Sequence, residues 1–257
     1  MRYGLQLCTL GTYADPRETV RAAVAAEAAG WEALLVWDHL AWASRGAPSA
    51  DPWVTLGACA AMTTRILLGT AVTPLPRRRP QMVAQQLASL SLASSGRVVF
   101  GAGSGVAEEL ERFGEDGGDR RRGSLLDEGL DVVSRLLAGE RVEHHGEHYV
   151  VDGATLAPLP LRPIPIWIGG NSPAALRRAA RWDGWLANSS DRERNVFTPG
   201  DISERTAGLE LADVCFIGYA AQADLDAYEA AGVTWWIENV WGEPADVLAR
   251  IAAGPAR

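Results

Sequence analysis

Pro163–Leu186, PIPIWIGGNSPAALRRAARWDGWL, holds a strand, a turn, a helix and a second strand in twenty-four residues. Ile164, Ile166, Trp167 and Ile168 form a short apolar run without polar alternation, the pattern of a strand covered on both faces. Gly169 and Gly170 let the backbone turn sharply and approach whatever lies beside it. Ser172 followed by Pro173 predicts a helix start: the hydroxyl caps free N–H groups, and proline at the first helical position lacks a donor that would go unused there. A second strand follows at Trp185–Ala187, which makes the stretch one β/α unit of a parallel sheet. Free N–H groups behind two glycines favour an anion, with phosphate the natural guest. The competing reading is a plain strand-to-helix turn in which Gly and Ser serve geometry alone.

The same unit recurs on either side. Tyr3–Cys8 reads as a first strand, and Asp15, Pro16 and Glu18 open a helix that Gly30 closes. Ala33–Trp37 is a second strand, ending on the polar pair Asp38 and His39. After the irregular loop LAWASRGAPSA, Asp51-Pro52 opens another helix. Arg65–Val72 is a third strand, and TPLPRRRP behind it is too rich in proline for regular structure. A helix from Pro80 leads to a fourth strand, Arg97–Gly103. Glu108–Gly123 is polar and glycine-rich, and Ser124 is expected to cap a helix carrying Leu126, Leu130, Val133 and Leu137 on one stripe. RVEHHGEHYVVD, residues 141–152, reads as a surface hairpin around Gly146. Beyond the opening stretch, Asn188–Gly208 has little periodicity. Strands at Val214–Tyr219 and Thr234–Ile237, with helices through Leu225 and Tyr228 and over Pro244–Ile251, finish the chain.

Eight strands alternating with helices over residues 1–257 predict a single-domain α/β fold, a (β/α)8 TIM barrel in preference to an open doubly wound sheet. Such a barrel carries its site on the loops at the carboxyl ends of its strands. His39, the GTAV end of strand three, GAGSG, GGNS and the residues after Ile237 are therefore expected around one pocket.

Composition narrows the function. The 257 residues are 47% hydrophobic, ample for a core, and 24 basic against 32 acidic side chains give a net charge of -8. Nucleic acid is excluded as a partner, because a polyanion needs a basic surface excess. With no apolar run long enough to span a bilayer, and an N-terminus that enters a strand pattern at once, a cytoplasmic protein without membrane partners is expected. Cys8, Cys59 and Cys215 are widely spaced in apolar surroundings and read as reduced core thiols. Ten tryptophans suggest aromatic pocket walls as well as core.

Several groups could carry chemistry. GAGSGVAE, Gly101–Glu108, approaches a dinucleotide fingerprint, but its spacing is G-x-G-x-G and no acidic residue ends a following strand about twenty residues on. Its glycines fit better as room for a flat ring or its ribityl chain. His39 is placed for proton transfer or for hydrogen bonding to a cofactor, against the plainer role of tying down its loop. Glu108 and Glu109 offer a carboxylate, or simply complement a helix dipole. His144, His145 and His148 lack metal-ligand spacing and read as solvated surface, so no metal site is expected. Arg77, Arg78 and Arg79 could attract an anionic substrate or cofactor tail, or be solvated. No nucleophile motif is present.

Motifs in consistent order carry a resemblance: GWEALLVWDHL, DPW, TRILLGTAVTPLPRRRP, QLASL, GRVVFGAGSG, RRGSLLDEGLDVVSRLLAGE, and GEHYVVDGATLAPLPLRPIPIWIGGNSPAALRRAARWDGWL. From Met1 to about Ala187 the chain resembles the bacterial luciferase-like family of flavin- and deazaflavin-dependent oxidoreductases. The resemblance implies a TIM barrel holding FMN, the first choice, or the deazaflavin coenzyme F-420, the alternative favoured by DHLAW and the arginine cluster. It places the cofactor phosphate at Gly169, Gly170, Asn171 and Ser172, and a bulge behind the ring, often with a non-prolyl cis peptide, at Thr70, Ala71 and Val72. Gly103, Ser104 and Gly105 fall against the ring. Asp38 and His39 fall where deazaflavin users keep ring contacts, with His39 and Glu108, or Glu109, as catalytic candidates. The implied activity is oxidation or monooxygenation of a small organic substrate through reduced FMN, with a separate flavin reductase as a partner. Hydride transfer with coenzyme F-420 is the alternative, and a non-catalytic flavin carrier or heterodimer subunit a further one. The segment 188–213 is shorter than in most relatives, which implies a reduced lid and a pocket that is open or completed by a second subunit, as in a homodimer. The ending GVTWWIENVWG is similar to a short-form subgroup.

Overall fold

The computed structural model describes residues 1–40, 47–115, 117–188 and 194–256. The eight sequence-predicted strands are all present. They are β1 (Arg2–Leu7), β2 (Ala33–Val36), β3 (Leu67–Thr70), β5 (Val98–Gly103), β8 (Ile166–Gly169), β9 (Gly184–Asn188), β10 (Asp213–Gly218) and β11 (Trp235–Val240). Each pairs in parallel with the next, including β3 with β5, and one further pairing, β1 with β11, closes the ring into an eight-stranded barrel. The fold is the TIM barrel that the alternation predicts.

Closure depends on two glycines. A Cβ on Gly69 would lie 2.3 Å from the carbonyl oxygen of Val99, and one on Gly101 would lie 1.9 Å from that of Thr70. Only glycine lets β3 and β5 approach this closely. Their ladder is two residues long, Leu68 opposite Val98 and Gly69 opposite Val99. The chain then bulges at Ala71–Val72, whose peptide is cis, and rejoins β5 as β4 (Thr73–Pro74).

Two apolar layers result from the two-residue period of the strands. Ala33, Leu35, Val99, Trp167, Leu186, Cys215, Ile217, Trp235 and Ile237 fill the barrel. Their neighbours, including Leu34, Val36, Phe100, Ile166, Ile168, Trp185, Phe216 and Trp236, point outward into the helical layer. The Trp235-Trp236 pair thus divides between layers. Trp235 meets Trp167 edge-on inside, with centroids 5.4 Å apart, and Trp236 stacks on Phe216 outside at 5.0 Å. Burying a ring of this size removes about 150–250 Å² from water, or about 4–6 kcal/mol at 25 cal/mol per Å².

The long helices α1 (Pro16–Ala28), α2 (Pro52–Met62) and α3 (Pro80–Ala93) begin on prolines as predicted, the first two capped by Asp15 and Asp51. Two expectations change. After the short α4 (Ala107–Glu111), α5 spans Gly118–Leu137, so Ser124 lies inside that helix instead of capping it. The amphipathic stripe extends through the polar segment because its arginines are good helix formers on the solvent face. The hairpin is β6 (Val142–His145) with β7 (Val150–Ala154), antiparallel as expected. After α6 (Pro173–Ala179), the aperiodic region contains α7 (Pro199–Thr206), opened by a capping box between Thr198 and Asp201. That helix buries only Ile202, so it leaves almost no hydrophobic period to read. Helices α8 (Leu225–Ala230) and α9 (Pro244–Ala252) complete the outer layer.

Candidate active site

A cavity of about 570 Å³ opens at the carboxyl ends of the barrel strands, a size suited to a cofactor or small ligand. Its floor is apolar: Ala71 and Val72 from the bulge, Leu186 from β9 and Ile217 from β10. Gly103 and Gly169 flank Val72, and a Cβ on either would fall 2.5 and 2.6 Å from its methyl groups. Those two glycines keep the floor flat. Gln6 reaches across from β1 and donates to the carbonyl of Ala71 at 3.0 Å, pinning the bulge.

The polar wall comes from the loops after β2 and β5. Asp38 is buried, accepting from Arg78 Nε at 3.0 Å and Nη2 at 2.8 Å, and from Arg77 Nη2 at 3.2 Å. The arginine cluster therefore faces inward through Arg77 and Arg78, occupied by Asp38. Glu109 is also buried. Its carboxylate lies 2.9 Å from His39 Nδ1 and 3.3 Å from Arg77 Nη1, and it accepts the N–H of Leu40. Held at Nδ1, the imidazole of His39 is oriented by a carboxylate, the geometry that sets up its other nitrogen for proton transfer.

The cavity brings together most of the sequence-predicted site. Asp38, His39, Ala71, Val72, Gly103, Ser104, Gly105, Gly169, Gly170 and Asn171 all line it. Thr70, Ser172 and Glu108 do not. Thr70 is buried behind the floor, where its hydroxyl donates to Gly101 O at 2.9 Å and accepts from Thr73. Ser172 is exposed and caps α6 through the N–H of Ala175 at 3.2 Å. Glu108 is exposed and Glu109 lines the cavity: neighbours on a helix point about 100° apart, so one register of α4 can present only one of them. The carboxylate placed in the pocket is corrected accordingly from Glu108 to Glu109.

The opposite wall includes Asn239 and Trp241, from the residues after Ile237 that the sequence places at the pocket, and Tyr219, which sequence reasoning missed. Tyr219 accepts from Asn239 Nδ2 at 3.0 Å and Trp241 Nε1 at 2.9 Å, and all three line the cavity. A polar residue at an inward position near the carboxyl end of an apolar strand, as Gln6 and Asn239 are, was the available signal. Cys8 also lines the cavity instead of the core, and burial pushes its thiol up to about 11, so it is a protonated wall residue at neutral pH.

The lining fits a planar cofactor that carries a hydroxyl or N–H donor. The floor is apolar and flat, glycines occupy the positions where side chains would fill the space, and Asn171 Oδ1 is buried without a hydrogen-bond partner among the described residues. Residues 4–238 match the family described as luciferase-like monooxygenase. The chain belongs to the luciferase-like monooxygenase family. Among its relatives in this family, an F-420-dependent glucose-6-phosphate dehydrogenase of Nakamurella multipartita is 36% identical over 212 residues, covering 77% of this chain and 59% of that protein. An F-420-dependent hydroxymycolic acid dehydrogenase of Mycobacterium tuberculosis is 36% identical over 181 residues, covering 67% and 49%. The chain thus spans about 60% of the length of the first of these relatives. In fold, this luciferase-like barrel is similar to an F-420-dependent secondary alcohol dehydrogenase, with TM-score 0.80, 18% identity and 96% of each chain covered. It is similar also to the coenzyme F-420-dependent tetrahydromethanopterin reductase of Methanopyrus kandleri, at 0.78, 16% identity, and 98% and 97% covered.

Elsewhere, the hairpin histidines are accounted for by their neighbours. His144 Nε2 lies 2.9 Å from Glu128, and His148 Nε2 lies 2.9 Å from Ser124. His145 stands with Glu143 and Asp152 on the exposed face. Among the described residues no helix is long and apolar enough to cross a membrane. Trp42 of the DHLAW motif lies outside the described residues, as do residues 189–193 of the shortened segment.

Proposed function

We propose that this chain is an F-420-dependent oxidoreductase that moves a hydride between the deazaflavin and the carbon of a small alcohol or carbonyl substrate. The observation that carries the reading is the His39–Glu109 pair, 2.9 Å apart at the wall of a flat-floored cavity. Oxidising an alcohol releases a hydride and a proton, and a histidine backed by a buried carboxylate is suited to receive the proton. The names of the relatives favour coenzyme F-420 over FMN, the first expectation from sequence. With hydride exchanged directly, the reading needs no separate flavin reductase.

Bound in this cavity, the deazaflavin would supply a two-electron hydride acceptor that the protein lacks. The chain's own residues do the rest. Val72, Gly103 and Gly169 would seat the ring, and Gly170 and Asn171 its phosphate-bearing side chain. His39 would take the substrate hydroxyl proton at Nε2, and Glu109 would stabilise the imidazolium while keeping Nδ1 protonated. Arg77 would balance Glu109 and Asp38, so that two carboxylates can share one buried wall. Tyr219 and Trp241 would close the substrate side and exclude water.

Anaerobic titration of coenzyme F-420 and of FMN, read by quenching of tryptophan fluorescence, tests the reading. Saturable binding of F-420, about tenfold or more tighter than FMN, is expected. Saturable FMN binding without F-420 binding would return the proposal to flavin chemistry.

A further inference from the structure

The cavity wall divides into two arcs of the barrel. Ala71, Val72, Gly103, Gly169, Gly170 and Asn171 belong to one, over β3, β5 and β8. Leu10, His39, Tyr219 and Trp241 belong to the other, following β1, β2, β10 and β11, which are neighbours in the sheet. Three of these four are aromatic or apolar, and that character continues to the surface. Trp241 is 41% exposed, Leu40 beside His39 is 54% exposed, and Val106, which follows β5, is 38% exposed. Large apolar side chains left in water around one opening mark a place where an apolar ligand replaces that water.

The aromatic part of this arc is held still. Tyr219 donates its N–H to Asn195 Oδ1 at 2.8 Å and accepts Asn195 Nδ2 on its carbonyl at 3.1 Å. The N–H of the next residue, Ala220, goes to the buried carboxylate of Glu238 at 2.9 Å. The Tyr219 hydroxyl in turn accepts Nε1 of Trp241 at 2.9 Å, which fixes the indole at the mouth. An aromatic wall ordered before binding loses little freedom when a ring settles on it.

Charge points the same way. The chain contains no lysine, so arginine is its only side chain with a permanent positive charge. No arginine is among the described residues that line the cavity, and Arg77 and Arg78 behind the polar wall are held by Asp38 and Glu109. A substrate with a carboxylate or phosphate beside His39 would add a third negative charge to a wall that already balances two.

We propose that the substrate is an uncharged alcohol, or the matching carbonyl compound, built on an apolar ring, and that this ring rests against Trp241 and Tyr219 while its reacting carbon faces His39. The reaction at that carbon is the hydride and proton transfer of the F-420 reading, on which the assignment as substrate rests. The ring site itself does not depend on the cofactor.

Calorimetric titration of the whole chain with three alcohols, with and without coenzyme F-420, tests the proposal. 1-Phenylethanol carries the ring, 2-butanol replaces it with a short chain, and mandelate keeps ring and hydroxyl but has a carboxylate in place of the methyl. 1-Phenylethanol is expected to bind about tenfold or more tighter than either of the others. Trp241→Ala is expected to shrink its advantage over 2-butanol to about twofold or less, with Trp241→Phe between that variant and the parent. Both variants should melt as the parent does, because the indole is half-exposed. Mandelate or 2-butanol binding as tightly as 1-phenylethanol overturns the proposal, as does an equal loss of both neutral alcohols in Trp241→Ala. If coenzyme F-420 fails to bind while 1-phenylethanol still binds through Trp241, the ring site stands and the F-420 reading falls. If 1-phenylethanol does not bind under either condition, the ring site falls, and F-420 binding by itself then decides the cofactor reading.

Discussion

The two ends of the barrel handle charge in opposite ways. At the amino end, the carboxylate of Glu27 accepts the N–H groups of Thr64, Arg65 and Ile66 at 2.6–3.0 Å, and Arg97 donates to the carbonyls of Ala60, Thr63, Ile66 and Ser94. Both charged groups are consumed by backbone, and they tie loops to strands. At the carboxyl end, Asp38, Arg77, Glu109 and His39 meet one another beside a cavity. Charges spent on backbone hold a fold together, whereas charges held by other side chains beside open space can change protonation or partners when a ligand arrives.

That contrast can be broken in four places. The largest effect is expected for His39→Asn and Glu109→Gln, each lowering kcat about 10²- to 10⁴-fold with the melting temperature little changed. Unfolding of either variant under conditions where the parent is native would make the pair structural. Arg97→Met should do the reverse. It leaves several carbonyls short of a donor, and a loss of about 3 kcal/mol in chemical denaturation is expected, with kcat of the remaining folded enzyme unchanged. Gly103→Ala sharpens the picture of the floor. Its Cβ would sit 2.5 Å from Val72, forcing that side chain toward the cavity, so the affinity for F-420 should fall about tenfold while stability moves little.

The smallest effect is a pH signature. Burial raises the Glu27 carboxyl, but the N–H groups of Ile66, Arg65 and Thr64 outweigh it and hold the group down to about 2 from 4.5. A carboxyl that is more acidic in the folded state stabilises fully above its unfolded value and loses that contribution as pH falls toward its folded one. Stability should therefore decline between about pH 4.5 and 2, and the decline should be shallower in Glu27→Gln, measured by denaturant titration at each pH. Identical slopes would remove Glu27 from the account of the amino end.

Much of the fold was legible because strand and helix signals are local. Apolar runs, proline starts and glycine stops fixed the alternation, and the order of the elements then placed His39, GAGSG and GGNS at one end before any contact was known. Local signals also misled. Ser124 looked like a cap because serine before an apolar stripe usually is one, and α7 was overlooked because one buried residue gives no period. Of the site, the sequence resolved the glycines and His39, whose roles depend on their own backbone or on position along a strand.

The sequence by itself determined the alternation of strands and helices, and with it the barrel, the end that carries the site and the family resemblance. Each follows from short-range sterics and hydrophobic period. Tertiary structure alone decided that Glu109 and not Glu108 meets His39, that Arg77 and Arg78 are committed to Asp38, and that Arg205 reaches the GGNS turn. Those pairings join residues 34 to 70 positions apart, and their geometry depends on helix register and barrel closure. Sequence spacing sets neither one.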